Sequence, residues 1–260
     1  MEFQYKERYD ISDLLNIMRI LRSPDGCPWD KVQTHQSIRQ NFIEETYEAI
    51  EAIDTDNAPL LKEELGDVLM QVIFHSIMEE EKGSFDFDDV CDDVCQKLII
   101  RHPHVFSDTV ADTPDEVLRN WDAIKMRTKS QQKTADSVDD VAKSLPALMR
   151  AQKVGKRAAK SGMDFKDYKA ALKRVEEEIE ELKAVDPEDK DRLSDELGDI
   201  LFSVVNTARL LKIDSELALT RSVDKFSSRF RKVEELAESR GIDMKTASDD
   251  TLDALWEEVK

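Results

Sequence analysis

The chain has 260 residues, 57 of them acidic and 38 basic, for a formal charge of −19. That excess of carboxylate excludes sequence-independent binding to nucleic acid, and a polyanionic ligand would need bridging cations and a locally basic pocket. The length suits one large or two ordinary domains, while seven glycines, seven prolines and abundant Glu, Lys, Leu and Ala point to helix.

Taken in order, Met1 to Arg8 has no apolar signal core and no later run is long enough to span a bilayer, so a cytoplasmic protein without a membrane partner is expected. Ile11, Leu14, Leu15, Ile17, Met18 and Leu21 predict a helix, which the turn Asp25-Gly26-Cys27-Pro28-Trp29 ends. Trp29 reads as the packing anchor of that turn. A second helix carries Ile43, Tyr47, Ile50 and Ile53 and stops between Asp54 and Pro59. The third, from about Leu60 to Glu81, aligns Leu65, Val68, Leu69, Val72, Ile73 and Ile77 as a buried stripe. Gly66 within it would cost about 1 kcal/mol against alanine, which suggests that another backbone or a ligand passes close by. Gly198 repeats the feature.

A fourth helix, roughly Phe87 to Ile100, leads into Arg101-His102-Pro103-His104-Val105-Phe106. The proline between the two histidines favours a structural corner over a metal site. Thr113-Pro114-Asp115-Glu116 looks like the start of a helix running through Trp121. The polar stretch that follows has no apolar period and reads as a linker, giving domains of 1–127 and 144–260 joined by 128–143. Ser144-Leu145-Pro146 restarts a helix, and others are predicted at about Phe165 to Val185, Pro187 to Lys212, Glu216 to Ala237 and Asp249 to Lys260. Cys27, Cys91 and Cys95 form no disulfide framework and lack partners at zinc-ligand spacing, so reduced thiols are the default. Nothing alternates like a strand, and the fold class is all-α, two related helical bundles.

The chemistry-bearing stretch is Glu177-Glu178-Ile179-Glu180-Glu181 followed by Asp195-Glu196-Leu197-Gly198-Asp199. On helices Glu178 and Glu181 share a face, as do Glu196 and Asp199, so two antiparallel helices can aim four carboxylates at one point. Carboxylates that close are tolerable only if they share protons or hold a hard divalent cation, of which magnesium is the natural choice and Mn2+ a substitute. In so acidic a chain a single ExxE spacing more often marks a solvated helix face. Repetition argues otherwise. Glu45, Glu48, Glu64 and Asp67 repeat the pattern, with Glu45 and Glu178 separated by 133 residues and Asp67 and Asp199 by 132. Lys97 and Arg101 match Lys225 and Arg229 as KxxxR, and Trp121 and Lys125 match Trp256 and Lys260 as WxxxK. Four matching elements in one order indicate an internal duplication.

EExxE, ELGD, KxxxR and WxxxK in this order resemble the MazG family of nucleoside triphosphate pyrophosphohydrolases. Cys27-Pro28-Trp29-Asp30-Lys31, Arg101-His102-Pro103-His104 and Leu145-Pro146-Ala147-Leu148 fit its two-domain bacterial form, over nearly the whole chain. The resemblance implies magnesium-dependent hydrolysis of a nucleoside triphosphate to the monophosphate and pyrophosphate by an all-α homodimer. On this reading Glu178, Glu181, Glu196 and Asp199 are the metal ligands, and Glu177, about 100° away on the helix, orients or deprotonates water. Lys225 and Arg229 hold phosphate oxygens, with Lys260 as a further phosphate contact. Trp256 is either a nucleotide contact or a core aromatic near the terminus. Arg174 and Arg192 lie one turn before Glu178 and Glu196, adding positive charge where a triphosphate would lie. Their counterparts in the first copy are Asn41 and Leu60, so the second domain is expected to supply most of the activity, with Glu45, Glu48, Glu64 and Asp67 a second metal site.

Other functions are weighed against this one. A ferritin-like di-metal oxidase needs Glu-x-x-His pairs, and His35, His75, His102 and His104 follow Val32, Val72, Ile99 and Arg101 at that spacing. An acidic helical adaptor with solvated carboxylates leaves the duplicated KxxxR and WxxxK unexplained. Within the enzyme class, the runner-up is a relative restricted to one nucleotide, such as a dUTP or phosphoribosyl-ATP hydrolase.

Overall fold

The structure, a computed structural model, describes residues 3–107 and 134–260, together with 109, 111, 113, 114, 116, 117, 120, 121 and 124. Asp115, Lys125 and residues 128–133 of the expected linker lie outside the described residues. The chain forms two compact units, Met1–Lys125 and Met126–Lys260. Among the described residues there is no strand, and no helix is long and apolar enough to cross a membrane.

In the first unit α1 (Ile11–Arg22) opens on Asp10, whose carboxylate accepts from the Ser12 and Asp13 amides while Asp13 accepts from the Asp10 amide, a reciprocal capping box. A 3-10 turn at Asp30–Val32 leads to α2 (Arg39–Asp54), and α3 (Ala58–Glu80) packs back along it after a short turn capped by Asn57. The Asp86 capping box then starts α4 (Phe87–Arg101), and α5 (Pro103–Phe106) is one turn, the corner expected of that proline. Met18, Ile38, Ile73, Phe74, Ile77 and Met78 form the core.

In the second unit the stretch expected to be linker holds α6 (Thr134–Asp139), fastened to α7 (Ala147–Ala159) by Arg157, which donates to the Ser137 carbonyl and pairs with Asp140. Pro146, rather than Ser144, occupies the N-cap of α7. Asp167, Asp189, Asp214 and Ser248 cap α8 (Tyr168–Lys183), α9 (Lys190–Leu210), α10 (Ser215–Ser239) and α11 (Asp249–Glu258). The α8–α9 pair repeats α2–α3, and α7 packs against α9 at Gly155, where an added Cβ would stand 2.6 Å from Asn206 Oδ1.

Several expectations are corrected. Of the stripe on α3, Ile73 and Ile77 are buried, but Leu65 is 54% and Leu69 37% exposed, because the core cluster of α1 and Phe87 covers only the later part of α3. Ile43, Tyr47, Ile50 and Ile53 on α2 are also exposed. A Cβ on Gly66 or Gly198 would meet nothing within 4 Å, so among the described residues no other backbone approaches either glycine, which leaves the ligand alternative of that expectation open. Trp29 is 56% exposed and does not anchor its turn. Arg22 does: its buried guanidinium donates to the carbonyls of Asp30 (2.7 Å) and Gln33 (3.3 Å), forks onto Glu81 and lies over the Phe74 ring. Turn carbonyls need donors, and an arginine fork reaches two of them at once where an indole has a single N–H to offer.

A second fastening holds the segment before α2. His35 Nδ1 and His75 Nδ1 lie 2.6 Å apart, at hydrogen-bonding distance, and His35 Nε2 lies 2.6 Å from Glu79 Oε1. Burial, then the neighbouring His35, lowers the His75 pKa. Hydrogen bonds from Lys82, His35 and Ser84 pull Glu79 down to about 2. A carboxylate with a depressed folded pKa stabilises above its unfolded value of 4.5 and loses that contribution as pH falls toward about 2. Glu79→Gln is therefore expected to lower thermal stability at pH 7, with the gap to wild type closing between pH 4.5 and 2 in a denaturation series.

Candidate metal centre

Two consecutive turns of α8 and two of α9 supply the acidic groups of the second unit. The two helices pack along one another with Ala171, Val175 and Val205 buried, and Glu178 is carried inward with them to 4% exposure. Ligand oxygens of Glu178, Glu196 and Asp199 lie within 4.8 Å of one another. Glu178 Oε2 is buried with no hydrogen-bond partner, an expensive arrangement for a carboxylate. Burial raises the Glu178 pKa more than the nearby Arg174 charge lowers it, and Glu181 and Asp199 push it further upward. An orphaned buried oxygen among hard oxygen donors suits a divalent cation of the magnesium or manganese type.

The fourth expected ligand stands apart. Glu181 turns to Arg174, whose Nη1 lies 3.4 Å from it and 3.2 Å from Glu177, while Arg174 Nε donates to Glu178 Oε1 at 2.7 Å. Glu177, also 3.4 Å from Lys173, is lowered in pKa by Arg174 and then Lys173. Arg192 approaches Glu196 at 3.8 Å. Both arginines are thus engaged with carboxylates, a pairing that spacing alone did not disclose.

In the first unit Glu45, Glu48 and Glu64 converge within the same 4.8 Å. Asp67 is outside that trio but close enough to raise Glu45 and Glu64 electrostatically. Burial is the leading cause for both of these raised groups, followed by neighbouring carboxylates.

A pocket of about 340 Å³ adjoins the second cluster. Arg174 and Glu178 form one side, and Met163, Phe165, Phe202 and Asn206 much of the rest. Arg209 ties it together by donating to Asn206 Oδ1 and to Asp164, each at 3.2 Å. Sequence reading missed this pocket because its walls come from α7, the segment before α8, α8 itself and α9, which no single spacing relates.

The MazG nucleotide pyrophosphohydrolase domain model matches residues 33–106 and again 166–234, the segments that carry the two clusters. The chain is 43% identical over 254 residues to the nucleoside triphosphate pyrophosphohydrolase of Escherichia coli (strain K12), covering 96% of this chain and 97% of that one. The chain belongs to the MazG family. It is also 43% identical to the nucleoside triphosphate pyrophosphohydrolase/pyrophosphatase MazG of Thermotoga maritima, covering 95% of this chain and 94% of the relative. With YabN of Bacillus subtilis (strain 168) it shares 44% identity over 97% of its own length and 52% of the relative's.

The remaining MazG-like motif residues are placed less tightly. Lys225 and Arg229 stand one turn apart on α10, the first exposed and the second half-buried, and neither pairs with the acidic cluster among the described residues. Trp256 packs on Phe226, with ring centres 5.2 Å apart, beside Val233, Ala237 and Leu255. That contact favours the core-aromatic alternative. Lys260 pairs with Glu257. Crowding of charge in the first unit has a direct consequence: Glu64→Gln is expected to raise the thermal midpoint of EDTA-treated protein at pH 7, because it removes a buried, unpaired negative charge. A lowered midpoint in that scan would contradict the assignment of strain to this carboxylate.

Proposed function

We propose that this chain is a magnesium-dependent nucleoside triphosphate pyrophosphohydrolase, releasing the monophosphate and pyrophosphate, with its principal active site in the second unit. The observation that carries the reading is the buried, unpartnered Glu178 Oε2 beside Glu196 and Asp199, within a segment matched by the family model. A solvated adaptor surface would not bury that oxygen. Glu178, Glu196 and Asp199 would hold the cation, with Glu181 one helical turn from Glu178 as a further ligand. A bound magnesium or manganese ion supplies Lewis-acid polarisation of a phosphoryl group and offsets the repulsion between carboxylates and a triphosphate.

The chain's own residues do the rest. Water attacks the α-phosphorus, the bond from that phosphorus to the bridging oxygen breaks, and pyrophosphate departs with the bonding pair. Glu177, kept ionised by Arg174 and Lys173, accepts a hydrogen bond from the attacking water and orients it. Arg174 and Arg192, then Lys225, Arg229 and Lys260, supply positive charge for phosphate oxygens. The pocket beside Arg174 and Glu178 has apolar walls from Met163, Phe165 and Phe202 that suit the nucleoside end of the substrate.

The chain is further inferred to work as a homodimer. Leu197, Leu201 and Val204 on α9 and Leu219, Val223, Phe226 and Phe230 on α10 follow helical spacing on faces that remain exposed. A second copy covering these faces would complete each bundle. Three free cysteines suit the cytoplasm.

With magnesium present, pyrophosphate release from a panel of nucleoside triphosphates is expected, abolished by EDTA. Glu178→Ala should lower turnover by about two orders of magnitude or more, and Glu45→Ala only slightly. The reverse order would move the active site to the first unit. In sedimentation velocity the wild type should run as a dimer and Leu201→Glu as a monomer; a wild-type monomer at assay concentration would overturn the dimer.

A further inference from the structure

We propose that Arg174 is a positioning residue that lowers the metal affinity of the second unit by holding two of its carboxylates, so the first unit takes up a divalent cation more tightly. The inference rests on reading both clusters as metal sites. Its basis is a comparison of equivalent places in the two copies. Arg174 and Asn41 each lie four residues before the first buried-side glutamate of their cluster, Glu178 and Glu45. Where the side chain is Asn41, the glutamate one turn further on, Glu48, joins the cluster with Glu45 and Glu64. Where it is Arg174, the matching Glu181 is outside the cluster and lies 3.4 Å from the guanidinium.

The same arginine holds Glu178 Oε1 at 2.7 Å, leaving only Oε2 of that carboxylate without a partner. In the first unit Glu64 is 7% exposed and has no hydrogen bond or ion pair among the described residues, so both of its oxygens are available. A cation arriving at the second cluster meets a unit positive charge already seated on one of its ligands, and must displace it or coexist with it. Either course weakens binding, while the first cluster offers charge that no basic side chain among the described residues pairs with. Displacement would also free the Arg174 fork for a phosphate, which couples metal loading of the second unit to its readiness for substrate.

The test is titration of the full chain with Mn2+ in the absence of nucleotide, reading free Mn2+ by electron paramagnetic resonance. Wild type is expected to show a tighter and a weaker class of site, with Glu64→Ala removing the tighter class. Arg174→Gln should tighten the weaker class about tenfold or more, the equivalent of one charge-assisted hydrogen bond, and Arg174→Lys should return most of the way to wild type. Asn41→Arg should weaken the tighter class by a similar factor. Mn2+ binding indifferent to Arg174→Gln, or weakened by it, would overturn this inference alone. No Mn2+ bound by wild type would overturn the metal reading and this inference with it.

Discussion

Each unit is built around a conflict between packing and charge. Apolar contact between two antiparallel helices brings their acidic faces together, so the hydrophobic gain of the hairpin is obtained only by crowding carboxylates that repel one another and lose water. In the second unit Val175 and Glu178 are on neighbouring turns of α8, both more than nine-tenths buried, so an apolar side chain and a carboxylate are buried on one face of the helix. The rest of the architecture answers that conflict. Aspartate caps start α8 and α9 in fixed register, and Arg174 and Arg192 return part of the missing positive charge.

The duplicated copies resolve it differently. The first unit leaves its glutamates opposed and the pKa values of Glu45 and Glu64 raised, with burial the leading cause. The second sets an arginine among them. The copies diverge at Asn41 against Arg174 and at Leu60 against Arg192, and different glutamates face each other in the two, although the four acidic residues themselves are the same.

Much of the fold was legible in the chain. Helical periodicity and polar caps put most helix ends within a few residues of their places, and the repeat of EExxE and ELGD located both clusters. What escaped was set by tertiary context. Leu65 and Leu69 have the right periodicity for a core, but burial depends on a partner helix that covers only the later part of α3. Trp29 looked like an anchor by residue type, whereas the turn needed hydrogen-bond donors and took Arg22. Spacing put Arg174 near the carboxylates but was silent on its drawing Glu181 away, because a side chain's choice among three acceptors is settled by distances of a few tenths of an ångström.

The turns that join α2 to α3 and α8 to α9 are short, and every acidic group of a cluster comes from one such hairpin. Contacts this close along the chain form early, since little loop entropy opposes them. A growing polypeptide leaving the ribosome would therefore bring Glu45, Glu48 and Glu64 together before Glu178, Glu196 and Asp199 had been synthesised.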